Sequence, residues 1–383
     1  MKLPRLRPLE FIPHRAGEIQ GFIIRDPLML SGNVMFVPEP VVFILSFFNG
    51  EKEMVDLQES FMKRYGEMLF SEDVEKLIED LDNNLLLENE NYFNVLRKLK
   101  EGYKNSLYRK LFSLPKTYTD FEELRERIKK AVNEGEPPGY GIISPHIDYE
   151  RGMQGYALAY SGWKGLEGKT LIFLGVNHTP FEDDFILSSK GYETPWGPVE
   201  TDLEVLNAIG KLLENPYENE IAHAFEHSIE LNVSFLKALV RDFKMVALLV
   251  PSFSEYIERG TLPVGYEKLF ELLHFLAEDE KYVLVSAADL SHYGLRFGDQ
   301  EKAENLLPYV ESFDKTLLKK AQEGDGDGFL SLFFSGRNAT HVCGTGAIYV
   351  FLKSIKRKGK LLGYFNALDT DRTSAVSFAA LIY

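Results

Sequence analysis

Three stretches of the sequence run from apolar residues straight into side chains that could do chemistry. Gly141-Ile-Ile-Ser-Pro-His146 and Thr170-Leu-Ile-Phe-Leu-Gly-Val-Asn-His178 each end in a histidine. Tyr282-Val-Leu-Val-Ser-Ala-Ala-Asp289-Leu-Ser-His292 ends in a carboxylate and a histidine. Short apolar runs bounded by Gly or Pro read as buried strands. In an open α/β sheet, residues just beyond the carboxyl ends of the strands line the crevice where ligands bind. Packing does not require His, His and Asp/His at three such ends, so the pattern reads as a site.

The single cysteine, Cys343, lies in His341-Val-Cys-Gly-Thr-Gly346, a turn ahead of an apolar helix. A helix N-terminus biases a thiol towards thiolate, although a buried Cys is often an inert packing residue. Two neutral imidazoles (His146, His178) and one thiolate (Cys343) make a three-ligand set for a mononuclear transition metal, with a fourth position open to water or substrate. Taken singly, each histidine is equally well a satisfied core residue. Asp289 and His292 stand three apart, so one turn puts both on one side of the pocket. There they could orient a bound water, act as acid and base, or ligate, while the plainer role for Asp289 is a turn cap.

A further cluster, His223-Ala-Phe-Glu226-His227-Ser-Ile-Glu230, would on a helix bring Glu226 to Glu230 and His223 to His227, each pair one turn apart. The two histidines are a rival ligand pair; the bland alternative is an acidic helix start favoured by the dipole. The reading adopted is that Glu226 and His227 line the pocket and support its cofactor, with His223 on the surface. Cys343-Gly-Thr-Gly346 lacks the third glycine and the lysine of phosphate loops, and no Gly-x-Ser-x-Gly elbow occurs. A cysteine-nucleophile hydrolase stays open as a third reading.

The elements that must position these residues fall into parts. A length of 383 residues suggests two domains. Residues 1–100 read as a small unit: strands over Phe22–Leu30 and Asn33–Val37, helices over Val41–Phe48, Val55–Tyr65 and from Ser71, then a hairpin from Leu85–Leu87 and Tyr92–Phe93. Three helices and a hairpin is a winged-helix order, and the pattern resembles small peptide-chaperone domains of the PqqD type. The third helix carries Glu72, Asp73, Glu75, Glu79 and Asp80, which would repel phosphates, so partner docking is expected there. Residues 101–138 read as a helical connector. From 139 to 383 strands and helices alternate, with strands at Gly141–Ser144, Thr170–Leu174, Met245–Val250, Tyr282–Ser286 and Ser377–Tyr383, which argues an α/β sheet with helices on both faces.

Composition narrows the class. Hydrophobic (45%) and charged (26%) shares are ordinary for a globular protein. One cysteine excludes an internal disulfide and a multi-thiolate zinc cage. The net charge of −15 argues against nucleic-acid or anionic-membrane binding. No apolar run is long enough to cross a bilayer, and the basic N-terminus lacks a secretory apolar core. A cytoplasmic location is the expectation.

Residues 139–383 resemble the Memo-like family, called AmmeMemoRadiSam system protein B in microbes. The matching pieces are Pro145-His-Ile-Asp-Tyr149, Gly175-Val-Asn-His-Thr179, Glu193-Thr-Pro-Trp-Gly197 with Asp202, Glu226-His-Ser-Ile-Glu230, Ser286-Ala-Ala-Asp-Leu-Ser-His-Tyr-Gly294, Cys343-Gly-Thr-Gly346 and Ser374-Ala-Val-Ser-Phe-Ala-Ala380. The resemblance implies a fold similar to class III extradiol dioxygenases, which are non-haem iron enzymes that open catechol rings. It also implies His146, His178 and Cys343 as metal ligands with Asp289 and His292 beside them, and a radical-SAM protein and other AmmeMemoRadiSam components as partners. The dioxygenases use two histidines and a carboxylate; a sulfur ligand makes the site softer and more oxidisable, which weighs against ring cleavage. The expected function is therefore a metal-binding redox enzyme, with iron ahead of copper or zinc. The alternative is a non-catalytic adaptor that binds a peptide, a small molecule or a radical-SAM partner through the pocket and the N-terminal domain.

Overall fold

The computed structural model of the chain describes residues 1–17, 19–31, 35–181, 185–334 and 338–383. It divides into two compact units, Met1–Asn105 with Arg296–Gly298, and Ser106–Leu295 with Asp299–Tyr383.

In the first unit, strands β1 (Glu10–Ala16), β2 (Ile19–Arg25) and β3 (Met35–Pro38) form an antiparallel sheet in that order. β1 escapes a reading of the sequence because Pro13 interrupts it. Proline is tolerated on an edge strand, which β1 is. Asn33 and Val34, where the sequence starts its second strand, lie outside the described residues. Helices follow at Glu39–Leu45, opened by Pro40, at Met54–Tyr65, closed by Gly66 at φ 74°, and at Ser71–Asn83. Ile24, Val37, Leu57, Val74 and Leu81 meet in the core of this unit. The hairpin expected at Leu85–Phe93 is absent. Asn89 accepts the Tyr92 amide at 3.1 Å, and a helix runs over Glu90–Asn105. The polar run Glu88-Asn-Glu-Asn91 is a helix start rather than a hairpin turn, since Asn side chains serve both.

In the second unit, β4 (Tyr108–Arg109) pairs with β8 (Gly191–Tyr192). The main sheet is built from β5 (Gly141–Ser144), β6 (Thr170–Val176), β7 (Ile186–Leu187), β9 (Lys244–Val250), β10 (Tyr282–Ala287), β11 (His292–Gly294), β12 (Lys360–Leu368) and β13 (Ser374–Ile382). Its order is β11-β13-β5-β10-β6-β9-β7, with β12 also on β13. β5, β10, β6 and β9 are parallel; β13 and β7 run antiparallel to them. The parallel strands are buried almost throughout, as continuous Val/Ile/Leu runs require when helices cover both faces.

Alternate residues supply the two faces. Ile172, Leu174, Val246, Leu248 and Leu284 pack with the helices Glu267–Ala277, Ala303–Glu323 and Thr345–Ile355. Leu171, Phe173, Met245, Ala247 and Val283 pack with Phe121–Ala131, Tyr149–Ala159 and Ser228–Leu239. This is the mixed α/β layering the sequence led us to expect. β12 went unseen because a bulge between Leu361 and Gly363 breaks its alternation, and it is only half-buried. Among the described residues no helix is long and apolar enough to cross a membrane.

Candidate metal centre

His146 leaves the end of β5, and three contacts fix it. Its amide donates to Asp289 Oδ1 at 2.9 Å, and its ring Nδ1 donates to the Ala287 carbonyl at 3.0 Å at the end of β10. Asn232 donates to the Pro145 carbonyl at 2.8 Å, which pins the residue before it. With Nδ1 committed to a carbonyl, the neutral ring carries its lone pair on Nε2.

His178 follows β6 across Gly175 and Asn177. A Cβ on Gly175 would come within 2.5 Å of Ile229 and 2.8 Å of Ser228, so only glycine lets the helix Ser228–Leu239 approach the strand end this closely. Asn177 then turns the chain, taking the Thr179 amide at 3.1 Å and donating to the Phe181 carbonyl at 2.7 Å. The His178 amide and ring Nδ1 both donate to Glu226, at 2.7 and 3.1 Å, again leaving Nε2 as the lone-pair nitrogen.

Cys343 is delivered by a tight turn. The Asn338 side chain takes the Val342 amide at 2.7 Å and donates to its carbonyl at 2.8 Å, while His341 sits at a φ of 51°. The glycines that follow are there for space. A Cβ on Gly344 would meet the Asp289 carbonyl at 2.4 Å, and one on Gly346 the Pro251 carbonyl at 1.9 Å. Gly344→Ala should therefore lower stability by about 1–3 kcal/mol, the usual cost of overpacking, in a thermal melt. A melt unchanged from wild type would contradict this close approach.

These elements bring the three predicted ligands together. Cys343 Sγ lies 3.4 Å from His146 Nε2, and one donor atom from each of His146, His178 and Cys343 lies within 4.8 Å of the others. Bonds of about 2.0–2.3 Å to one ion place such donors roughly 3–4 Å apart. The Cys343–His146 separation falls in that range, and the trio could hold a single transition metal. Asp289 is buried beside the cluster, its Oδ2 3.6 Å from His146 Nε2. His292 donates from Nδ1 to the Leu290 carbonyl at 3.2 Å.

Charge around the cluster is strongly biased. Burial works against an imidazolium at His146, but the Asp289 carboxylate and the Cys343 sulfur outweigh it and raise the ring to about 9. Burial is likewise overcome at His178, chiefly by Glu226, and its ring is raised well above the ordinary range. At Cys343 burial would raise the thiol, yet His146 and His178 bring it below its usual value. Burial raises Asp289 despite the nearby His146. His292 is pushed down to about 3, first by burial and then by the charges of His146 and His178.

Glu226 and His227 border the same cluster in a way a helix alone would not give. The helix begins at Ser228 rather than Glu226, and Glu226 is extended at φ −98°, ψ 136°. Its carboxylate therefore folds back on the helix start, accepting the His227 amide at 2.8 Å and the Ser228 amide at 2.9 Å as well as His178. His227 Nδ1 lies 3.3 Å from Glu226 Oε1, and its ring stacks on His178 at 4.9 Å. His178, Glu226 and His227 form a second trio of potential ligands. Burial would raise the Glu226 carboxyl, but His178 and His227 hold it well below the usual range.

His223 is not on the surface as expected. It is fully buried, with Nε2 donating to the Ile186 carbonyl at 3.0 Å and Nδ1 accepting from the Tyr192 hydroxyl at 2.7 Å. Burial, reinforced by Arg109, lowers it to about 4. The folded value lies below the unfolded one near 6.5, so the unfolded chain takes up the proton first as pH falls. Stability from this group is complete above about pH 6.5 and fades towards pH 4, a loss of about 2 kcal/mol between pH 7 and 5. Urea unfolding of wild type and His223→Gln at the two pH values checks this. Equal losses in both proteins would contradict it.

Two buried polar residues were not foreseen. Arg109 gives no signal in Leu107-Tyr-Arg-Lys-Leu111. Asp314 had one, a carboxylate on the apolar stripe of Val310, Leu317 and Ala321. It takes the hydroxyls of Ser291, Tyr364 and Ser377 at 2.7, 2.8 and 2.5 Å, fixing the backbone between Asp289 and His292.

Fold and cluster together define a class: a mixed α/β protein in which two histidines beyond the carboxyl ends of parallel strands meet a cysteine in a group that could hold a metal ion. The profile of the family described as Memo-like protein matches residues 117–382. A MEMO1 family protein of Aquifex aeolicus is 28% identical over 388 residues, 99% of each chain. One of Thermus thermophilus is 28% identical over 86% of this chain and 99% of its own, and one of Archaeoglobus fulgidus 29% identical over 63% and 85%. The chain belongs to the Memo-like protein family.

Proposed function

We propose that this Memo-family chain is a cytoplasmic, metal-dependent redox enzyme that holds one iron ion on His146, His178 and Cys343. The observation that carries the reading is the convergence of those donors, with both imidazoles presenting Nε2. Bound iron would supply one-electron chemistry and polarise an oxygen of a substrate at the open position. Glu226 and the Ala287 carbonyl fix the imidazole tautomers, as carboxylates and carbonyls do behind metal-binding histidines. Asp289, buried and with its carboxyl raised above the usual value, is the proposed proton-handling carboxyl beside the donor set. His292, its Nδ1 donating to the Leu290 carbonyl, completes the proposed proton-handling pair with Asp289.

The test is anaerobic reconstitution of the full chain with Fe(II), followed by metal counting and electron paramagnetic resonance before and after oxidation. About one iron per chain that cycles reversibly supports the reading. Preferential loading by Cu(I) or Zn(II), with iron only in trace, overturns the choice of iron. The N-terminal unit, with its own core and exposed Met68, Phe70 and Phe93, is the proposed docking module for a radical-SAM partner. Loss of that partner in a pull-down with Phe70→Glu/Phe93→Glu is the expected result. Unchanged capture counts against it.

A further inference from the structure

Arg109 lies outside the family-matched residues 117–382 and is wholly buried. A guanidinium in such a place is tolerated only where its donors are met. Here Nη1 pairs with Glu230, Nε donates to the His223 carbonyl at 2.8 Å, and Nη2 donates to the Glu226 carbonyl at 2.6 Å. Its face lies 5.0 Å from the Tyr192 ring centre. Glu230 in turn accepts the amides of Phe112, Ser113 and Leu114 at 2.8, 2.8 and 2.9 Å. The result is a closed knot between residues 109–114 and the loop that carries Glu226.

The two carbonyls that Arg109 grips bracket Ala224 and Phe225, so they fix the backbone entering Glu226. The short helix Ala222–Phe225 ends there and Glu226 itself is extended, which turns its carboxylate onto His178 and His227. We propose that Arg109 is a positioning residue of the metal centre, setting the Glu226 carboxylate and through it the orientation of the His178 and His227 rings. This rests on reading His146, His178 and Cys343 as the metal site. Lysine at this position would keep the charge but could not span Glu230 and both carbonyls, because only the fork of arginine presents donors in that spread.

The experiment compares full-length wild type, Arg109→Lys, Glu230→Gln and, as a control for lost stability alone, Ile128→Ala in the core of the same unit. Co(II) affinity and visible spectrum are read in each, together with the proton resonance of His178 Nδ1–H in metal-free protein. Arg109→Lys is expected to weaken Co(II) binding about 10–100-fold, as loss of groups behind metal-binding histidines does. It should also alter the Co(II) spectrum and shift the His178 proton upfield; Glu230→Gln should do the same to a smaller extent, and Ile128→Ala should change none of the three. Should Arg109→Lys fail to fold, Glu230→Gln decides alone. Affinity, spectrum and proton shift equal to wild type in the folded variants would overturn the proposal. If wild type itself takes up no Co(II), the metal reading fails, and the His178 proton still decides whether Arg109 positions the ring.

Discussion

Replacing Cys343 with alanine is expected to lower affinity for Fe(II), Co(II) or Zn(II) by about two to three orders of magnitude. Sites of four ligands are worth about 10–16 kcal/mol, or roughly 3–4 kcal/mol for each ligand. Each 1.4 kcal/mol is about tenfold in affinity. Sγ is also the one soft donor of the trio, 3.4 Å from His146 Nε2, so the sulfur-to-cobalt charge-transfer absorption should vanish with it. Cys343→Ser should fall between, since a hydroxyl occupies the position but is a poor ligand when protonated. Competition titration with a chromophoric chelator measures all three. An alanine variant within a few-fold of wild type would remove the thiolate from the centre.

Glu226→Ala should be the most destabilising change near the pocket. The carboxylate takes three backbone amides, those of His178, His227 and Ser228, besides the two imidazoles. Removing one partner from a buried, hydrogen-bonded charge cluster costs about 3–5 kcal/mol. Glu226→Gln keeps a carbonyl acceptor, so the fold should survive while metal affinity falls about 10–100-fold. Urea unfolding separates the first effect, and Co(II) titration the second. Wild-type affinity in Glu226→Gln would mean that His178 is oriented by something other than Glu226.

The parallel core of the sheet was legible because buried strands leave a plain mark, short apolar runs closed by Gly, Pro or polar residues. The same ends carry His146, His178 and Asp289, so strand and site could be read together. Cys343 was visible as a type and not as a direction, since only the turn fixed by Asn338 and the closeness allowed by Gly344 aim its sulfur. What the sequence hid has a common cause. Glu226 reads as a helix residue, but an extended backbone turns it into a clamp. His223 reads as surface until Tyr192 and Ile186 close over it, and Arg109 becomes significant only through partners more than a hundred residues away. Long-range polar pairing leaves no periodicity to detect. In the N-terminal unit the error was of another kind, because Asn89 can end a hairpin or start a helix with the same side chain.

X-ray absorption at the metal edge of the loaded full-length protein addresses the centre most directly. One sulfur at about 2.3 Å with two imidazole nitrogens at about 2.0–2.1 Å is the expected first shell, and Cys343→Ala should lose the sulfur alone. A shell of nitrogen and oxygen without sulfur in wild type would contradict the His146–His178–Cys343 centre, as would a protein that retains no metal.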